Sequence, residues 1–190
     1  MRSRGVTARV PGKVNLQLSV GPLGDDGYHE VTTVFQAISL FDDVSISMGE
    51  SGSGIKLSIT GQTSGGVPVD NSNLAVKAAE LMVKKYELSN DLVIKLKKEI
   101  PVAGGMAGGS ADAAGVIVCL DSLFDLGLSR DVMESIGSQI GADVPFSISG
   151  GVAIGTGRGD QITPALYKGN YNWVLALSGQ GLSTPSVYQE

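Results

Sequence analysis

The stretch from Pro101 to Ala114, PVAGGMAGGSADAA, constrains this chain more than any other, because an apolar strand-like run ends in a glycine-rich turn that opens directly into a helical pattern. Such a turn is an anion cradle. Gly104, Gly105, Gly108 and Gly109 carry no Cβ, so the backbone can take left-handed dihedrals and gather several N–H groups on one phosphate. Ser110 is expected to be the N-cap of the next helix, which Ala111, Ala113 and Ala114 propagate. A polyphosphate lying there would meet unpaired amides and the positive end of the helix dipole. The spacing fits neither G-x-x-x-x-G-K-S/T, since no lysine follows the glycines, nor G-x-G-x-x-G, since Met106 stands where the second glycine would fall. A slack strand-to-helix connection is the competing reading, and Pro101, four glycines and a capped helix speak against it.

The 190 residues suffice for one generous domain, or for one domain and the beginning of another. A hydrophobic content of 42% with 27 glycines indicates a globular chain rich in tight turns. The net charge of -5 and pI near 4.9 argue against partners held by a positive surface, so neither nucleic acid nor membrane is expected. Any bound anion must be held locally. Cys119 is the only cysteine, which removes a disulfide framework and a cysteine zinc cluster and makes a cytoplasmic location the default. The start, MRSRGVTARVPGK, lacks the apolar core of a signal peptide, and no run reaches the roughly 18 apolar residues of a membrane span.

Alternation predicts short strands at Thr7 to Val10 and Val14 to Val20, broken by Pro11-Gly12, and β-prone sequence returns from Val31 to Leu40. Val44 to Met48 and Ile55 to Ile59 alternate across glycines and serines that suggest a hairpin. A helix is expected from Asn73 to Tyr86, a strand over Leu92, Ile94 and Leu96, and a buried helix carrying Ala113, Val116, Ile117, Leu120 and Phe124 with Cys119 packed beside it. Ser129 caps a further helix running to about Ile140, with Asp131 favouring its start. Phe146 to Ile148 and Val152 to Ile154 read as paired strands, the turn GTGRGD follows, and Trp173 to Leu177 reads as the last strand. The mixture argues an α+β fold without internal repeats.

Phosphoryl transfer needs a held triphosphate, neutralised charge and an in-line nucleophile. The glycine loop answers the first need, while Asp143 in GADVPF and Lys13 in PGKVN offer an acid and an amine outside it. On residues alone, Asp143 as a turn residue and Lys13 as a solvated charge is the commoner situation. His29, the only histidine, suits a loop hydrogen-bonder better than a metal ligand, because a metal site would want partners the sequence does not offer.

The run from Pro101 resembles the glycine-rich motif of the GHMP kinases, the small-molecule kinase superfamily that includes galactokinase, homoserine kinase and mevalonate kinase. Taken in order, PGKVNLQLSVG, DGYHE, NSNLA, IPVAGGMAGGSADAA and GADVPF are similar to the 4-diphosphocytidyl-2-C-methyl-D-erythritol kinase family of the non-mevalonate isoprenoid pathway, over nearly the whole chain. DGYHE is the specific block.

The resemblance implies a GHMP kinase N-terminal domain over residues 1–165, a mixed sheet packed with helices, and the start of a C-terminal domain over 166–190. Nothing after Trp173 supplies the second glycine-rich motif of such kinases, so an exposed apolar docking patch is expected and activity of these residues alone is doubtful. It also implies ATP- and Mg²⁺-dependent phosphorylation of the 2-hydroxyl of a cytidine diphosphate conjugate, with Asp143 as the base and Lys13 beside it. Tyr28, His29 and Tyr188 would hold the cytosine, and Asn15 the polyol. Asn73 and Lys98 would line the adenine pocket, although Lys98 reads equally as a solvated strand-end lysine. Pro101, Gly104, Gly105, Met106, Ala107, Gly108, Gly109 and Ser110 would receive the nucleotide, and no metal ligand is assigned. A GHMP kinase for another alcohol and an inert nucleotide-binding module remain the alternatives.

Overall fold

A computed structural model describes residues 5–24, 27–102 and 104–177 of the chain. In order these form β1 (Gly5–Leu23), β2 (His29–Met48), β3 (Ile55–Thr60), α1 (Leu74–Tyr86), β4 (Leu92–Lys97), α2 (Gly108–Phe124), α3 (Arg130–Gly137), α4 (Val144–Ser149), β5 (Val152–Thr156) and β6 (Gln161–Pro164). The fold is α+β, a mixed sheet with helices packed on it. No helix among the described residues is long and apolar enough to cross a membrane.

The long strand β2 organises the sheet, whose order is β3-β4-β2-β5-β6 with β1 paired to β2. One edge of β2 takes β1 antiparallel, while the other takes β5 over Thr33 to Gln36 and β4 over Asp43 to Met48. Between those two partners that edge is open, and Asp42 stands at its border. β3 lies parallel to β4, with α1 as the crossover that a parallel pair requires.

Several local expectations are corrected. Pro11-Gly12 does not divide β1; the register shifts between Pro11 and Lys13 instead, a bulge that re-aims the next side chains without ending the strand. Val31 to Leu40 and Val44 to Met48 are parts of the single strand β2. The hairpin expected between Val44–Met48 and Ile55–Ile59 does not form, because β4 inserts between β2 and β3. Phe146 to Ile148 lies in α4, whose first turn contains Pro145, a residue that suits a helix start. The helix after Ser129 ends at Gly137, short of Ile140. Trp173 to Leu177 forms no strand, and Trp173 and Val174 are exposed.

Helix α2 is the core's central element. Its residues Ala111, Ala113, Val116, Ile117, Cys119 and Leu120 are buried against β1, β2 and the neighbouring helices. The Cys119 thiol donates to the Val44 carbonyl at 3.4 Å, and burial pushes its pKa up to about 11. Gly115 lets the helix approach the sheet, since a Cβ there would lie 2.5 Å from Val44 Cγ2 and 3.1 Å from Val10 Cγ2. Gly115→Ala is therefore expected to destabilise the fold by about 1–3 kcal/mol, the usual cost of overpacking. Adding Val44→Ala should restore part of that loss; thermal melts showing strict additivity of the two changes would contradict this contact.

Candidate functional site

The glycine loop, the middle of β1 and the start of α4 meet around one cleft of about 1660 Å³. On the loop side its lining includes Pro101, Gly104, Gly105, Met106, Ala107, Gly108, Gly109 and Ser110, together with Asn73 and Lys98. Lys13, Asn15, Tyr28, His29 and Asp143 line the same cleft. The cleft thus gathers every described site residue singled out in the sequence. Tyr188 lies outside the described residues.

The loop's backbone differs from its expected form. Gly105 at φ 68° and Ala107 at φ 58° are the left-handed residues, not all four glycines. Gly104 and Gly108 sit close to their neighbours: a Cβ would lie 2.9 Å from the mobile end of Met106 at the first, and 3.3 Å from Ile100 Cγ2 at the second. Ser110 is not the N-cap. Helix α2 begins three residues earlier than that cap would imply, with Ala107 in the cap position and no capping side chain, which places Ser110 in the first turn. The amides of a first turn have no intrahelical acceptor, and the first-turn residues Gly108, Gly109 and Ser110 line the cleft.

Asn73 caps α1 by accepting from Ala75 N at 2.8 Å, and its amide donates to the Pro68 carbonyl at 2.7 Å. Both partners hold it rigidly at the cleft's edge.

Lys13 follows the bulge in β1 and is buried, with its backbone N–H donating to the Met106 carbonyl at 3.2 Å. That bond joins the strand to the glycine loop. Its ammonium donates to Asn15 Oδ1 at 2.7 Å, and Asn15 donates in turn to Thr33 Oγ1 at 2.6 Å. The same ammonium lies 3.6 Å from Asp143 Oδ2 and 5.6 Å from the centre of the Phe35 ring, which stacks on Phe146. Lys13 is therefore not a solvated charge. Asp143 occupies the N-cap position of α4 but makes no capping bond through its side chain, and that side chain is one-third exposed, at 33%.

Elsewhere in the lining, His29 Nδ1 lies 2.8 Å from the Gly21 carbonyl. The Arg158 guanidinium sits 5.0 Å from the centre of the Tyr28 ring while donating to Asp160 Oδ2 at 2.7 Å and to the Ser138 carbonyl at 3.4 Å. Arg158 belongs to the turn GTGRGD between β5 and β6, whose link to this site the sequence did not disclose.

Beneath the loop lies a cluster that sequence reading missed. Lys98 is 2% exposed, so the solvated-lysine reading fails, and its ammonium pairs with Asp42 and with Asp112 Oδ2, the latter at 2.6 Å. It also donates to the Gly108 carbonyl at 3.2 Å. Asp42 Oδ1 accepts from the backbone N–H groups of Glu99 at 2.6 Å and Ile100 at 2.9 Å. Asp112 Oδ1 is buried without a partner. A charged residue among the small apolar residues of a buried helix was the available signal.

Burial pushes the Asp112 carboxyl up from its ordinary 3.8 to about 7, against the pull of Lys98 and with a small push from Asp42. Between about pH 4 and pH 7 the folded chain therefore holds a proton that the unfolded chain gives up, so this group's contribution to stability falls as pH rises through that window. The stability of the wild type relative to Asp112→Asn should decline from pH 4 to pH 7 and level off above. A difference in denaturation midpoint that does not change with pH would contradict this assignment.

Residues 73–151 match the GHMP kinases N terminal domain. A protein of Mycolicibacterium smegmatis named 4-diphosphocytidyl-2-C-methyl-D-erythritol kinase is 49% identical over 185 residues, covering 97% of this chain and 56% of the relative. A protein of the same name from Rhodococcus jostii is 49% identical over 187 residues, covering 98% and 59%. A crystal structure of 4-(cytidine 5'-diphospho)-2C-methyl-D-erythritol kinase matches with a TM-score of 0.69 at 31% identity, covering 97% of this chain and 63% of the other. The chain spans about half the length of the curated relatives it matches.

Proposed function

We propose that this chain, whose residues 73–151 match the GHMP kinases N terminal domain, is part of a kinase transferring the γ-phosphoryl group of ATP to the 2-hydroxyl of 4-diphosphocytidyl-2-C-methyl-D-erythritol. The observation that carries the reading is the Lys13–Asp143 ion pair, set in one cleft with the amides of the glycine loop. The names of the relatives and the Tyr28-His29 pair support the choice of substrate.

In this reading the loop amides and the start of α2 receive the nucleotide's phosphates. Mg²⁺ enters in this reading with its nucleotide, as MgATP, held chiefly by the phosphate oxygens. Tyr28 offers its ring to the cytosine and His29 a ring nitrogen to the base's edge, while Asn15, oriented by Lys13 and Thr33, faces the polyol. Asn73 borders the pocket for adenine.

The substrate hydroxyl gives its proton to Asp143 as its oxygen bonds to the γ-phosphorus, and the bond from that phosphorus to the β–γ bridging oxygen breaks to release ADP. Lys13, whose ammonium lies 3.6 Å from Asp143 Oδ2, stabilises the negative charge growing on the attacking oxygen. Because the transition state is loose, proton transfer can come late, and a positioned base contributes roughly 10²- to 10⁴-fold. Residues 1–165 form the nucleotide-binding domain in this proposal, and 166–190 begin a second one. The exposed Leu166, Trp173 and Val174 are residues that such a domain would cover.

Steady-state assay of the intact protein with the cytidine conjugate, mevalonate and homoserine tests the substrate. Preference for the conjugate is expected, and comparable turnover of either rival would reject the assignment. Asp143→Asn should lower kcat at least about a hundredfold while nucleotide affinity stays nearly intact. Unchanged turnover would remove Asp143 from the mechanism.

A further inference from the structure

The buried cluster under the glycine loop has a geometry that an adenine-lining role for Lys98 does not use. An ammonium has three donors. Those of Lys98 have three acceptors in Asp42 Oδ2, Asp112 Oδ2 and the Gly108 carbonyl, so none is left to reach a ligand. The acceptors also have a pattern. Asp42 holds the chain just before Pro101 through the amides of Glu99 and Ile100, while Gly108 and Asp112 belong to the first turns of α2. One ammonium therefore ties together the two shoulders of the loop.

The bond to Gly108 carries directional information. A trans peptide unit is planar, so its N–H points opposite to its C=O. With the Gly108 carbonyl held down onto Lys98, the N–H of Gly109 is turned the other way, and Gly109 is an exposed residue of the cleft lining. Gly108 has little room to move, because even a Cβ would stand 3.4 Å from Lys98 Nζ.

Building on the nucleotide reading above, we infer that Lys98 is a positioning residue: held by Asp42 and Asp112, it fixes the Gly108 carbonyl so that the Gly109 amide is aimed at the polyphosphate, and it makes no contact with the nucleobase. The ligand concerned is the polyphosphate part of a nucleoside triphosphate, whatever its base.

The test compares Lys98→Met with the double variant Lys98→Met/Asp112→Asn in the intact protein. The double variant removes one of the two carboxylates that the single change would leave buried beside no cation. Kinetics with ATP, GTP and ITP are combined with calorimetric binding of inorganic tripolyphosphate. In a folded variant KM should rise by at least about tenfold for all three nucleotides by a common factor, as misplacement of a binding group does. Tripolyphosphate binding should weaken in parallel, and KM for the alcohol should stay within about twofold.

A changed preference among the three nucleotides would overturn the inference in favour of direct base contact. Undiminished tripolyphosphate affinity in a folded variant would overturn it as well. Tripolyphosphate binding needs no turnover, so it separates failure of this inference from failure of the proposed kinase reaction.

Discussion

A single ammonium buried between two carboxylates fixes the mouth of the glycine loop, and the cleft is arranged around that point. It arises from the way the sheet divides. β4 leaves β2 at Asp43, and the next residue of β2, Asp42, turns its carboxylate to the amides of Glu99 and Ile100 that have lost their strand partner. Lys98 and Asp112 complete the cluster at 2% exposure each, with Asp42 at 0%. Removing one partner from a buried ion pair typically costs about 3–5 kcal/mol, because the charge left behind has no compensation, so the three groups must stay together in the folded chain. A flexible-looking, glycine-rich sequence is thereby anchored at both ends.

The facing wall is built by different means. There a bulge in β1 turns Lys13 into the cleft, and the Phe35–Phe146 stack backs it. The Lys13 amide bonds to Met106, so the wall that carries the ion pair and the loop that would carry the phosphates are joined through the backbone. For a chain of net charge -5, the proposed binding of a polyphosphate requires attraction at the cleft itself. Attraction is local, supplied by backbone N–H groups and by cations placed at the cleft, not by the surface as a whole.

Much of this was legible from the sequence, and the failures have physical causes. The apolar face of Leu74, Ala78, Leu81 and Met82 announces α1, and Ser129 announces its helix because cap chemistry is local. The glycine loop is recognisable for the same reason, although its helix starts at Gly108 and leaves Ser110 inside the first turn. Pairing across the sheet is not local, so the insertion of β4 between β2 and β3 could not be read from alternation. The segment VPFSIS is apolar enough to pass for a strand, and six residues are too few to establish a period. Asp42, Lys98 and Asp112 lie far apart in sequence, and only the fold brings their charges into one buried place.

The central claim is that the cleft has a polyphosphate side at the glycine loop and a separate base-binding side at Tyr28 and His29. Amide and side-chain resonances of the intact protein, followed as a non-hydrolysable MgATP analogue and then cytidine diphosphate are added, test it directly. The amides of Gly105, Gly108 and Gly109 should shift with the first ligand, and the rings of Tyr28 and His29 with the second, with each ligand still binding in the presence of the other. Silent loop glycines, or mutual displacement of the two ligands, would contradict the claim.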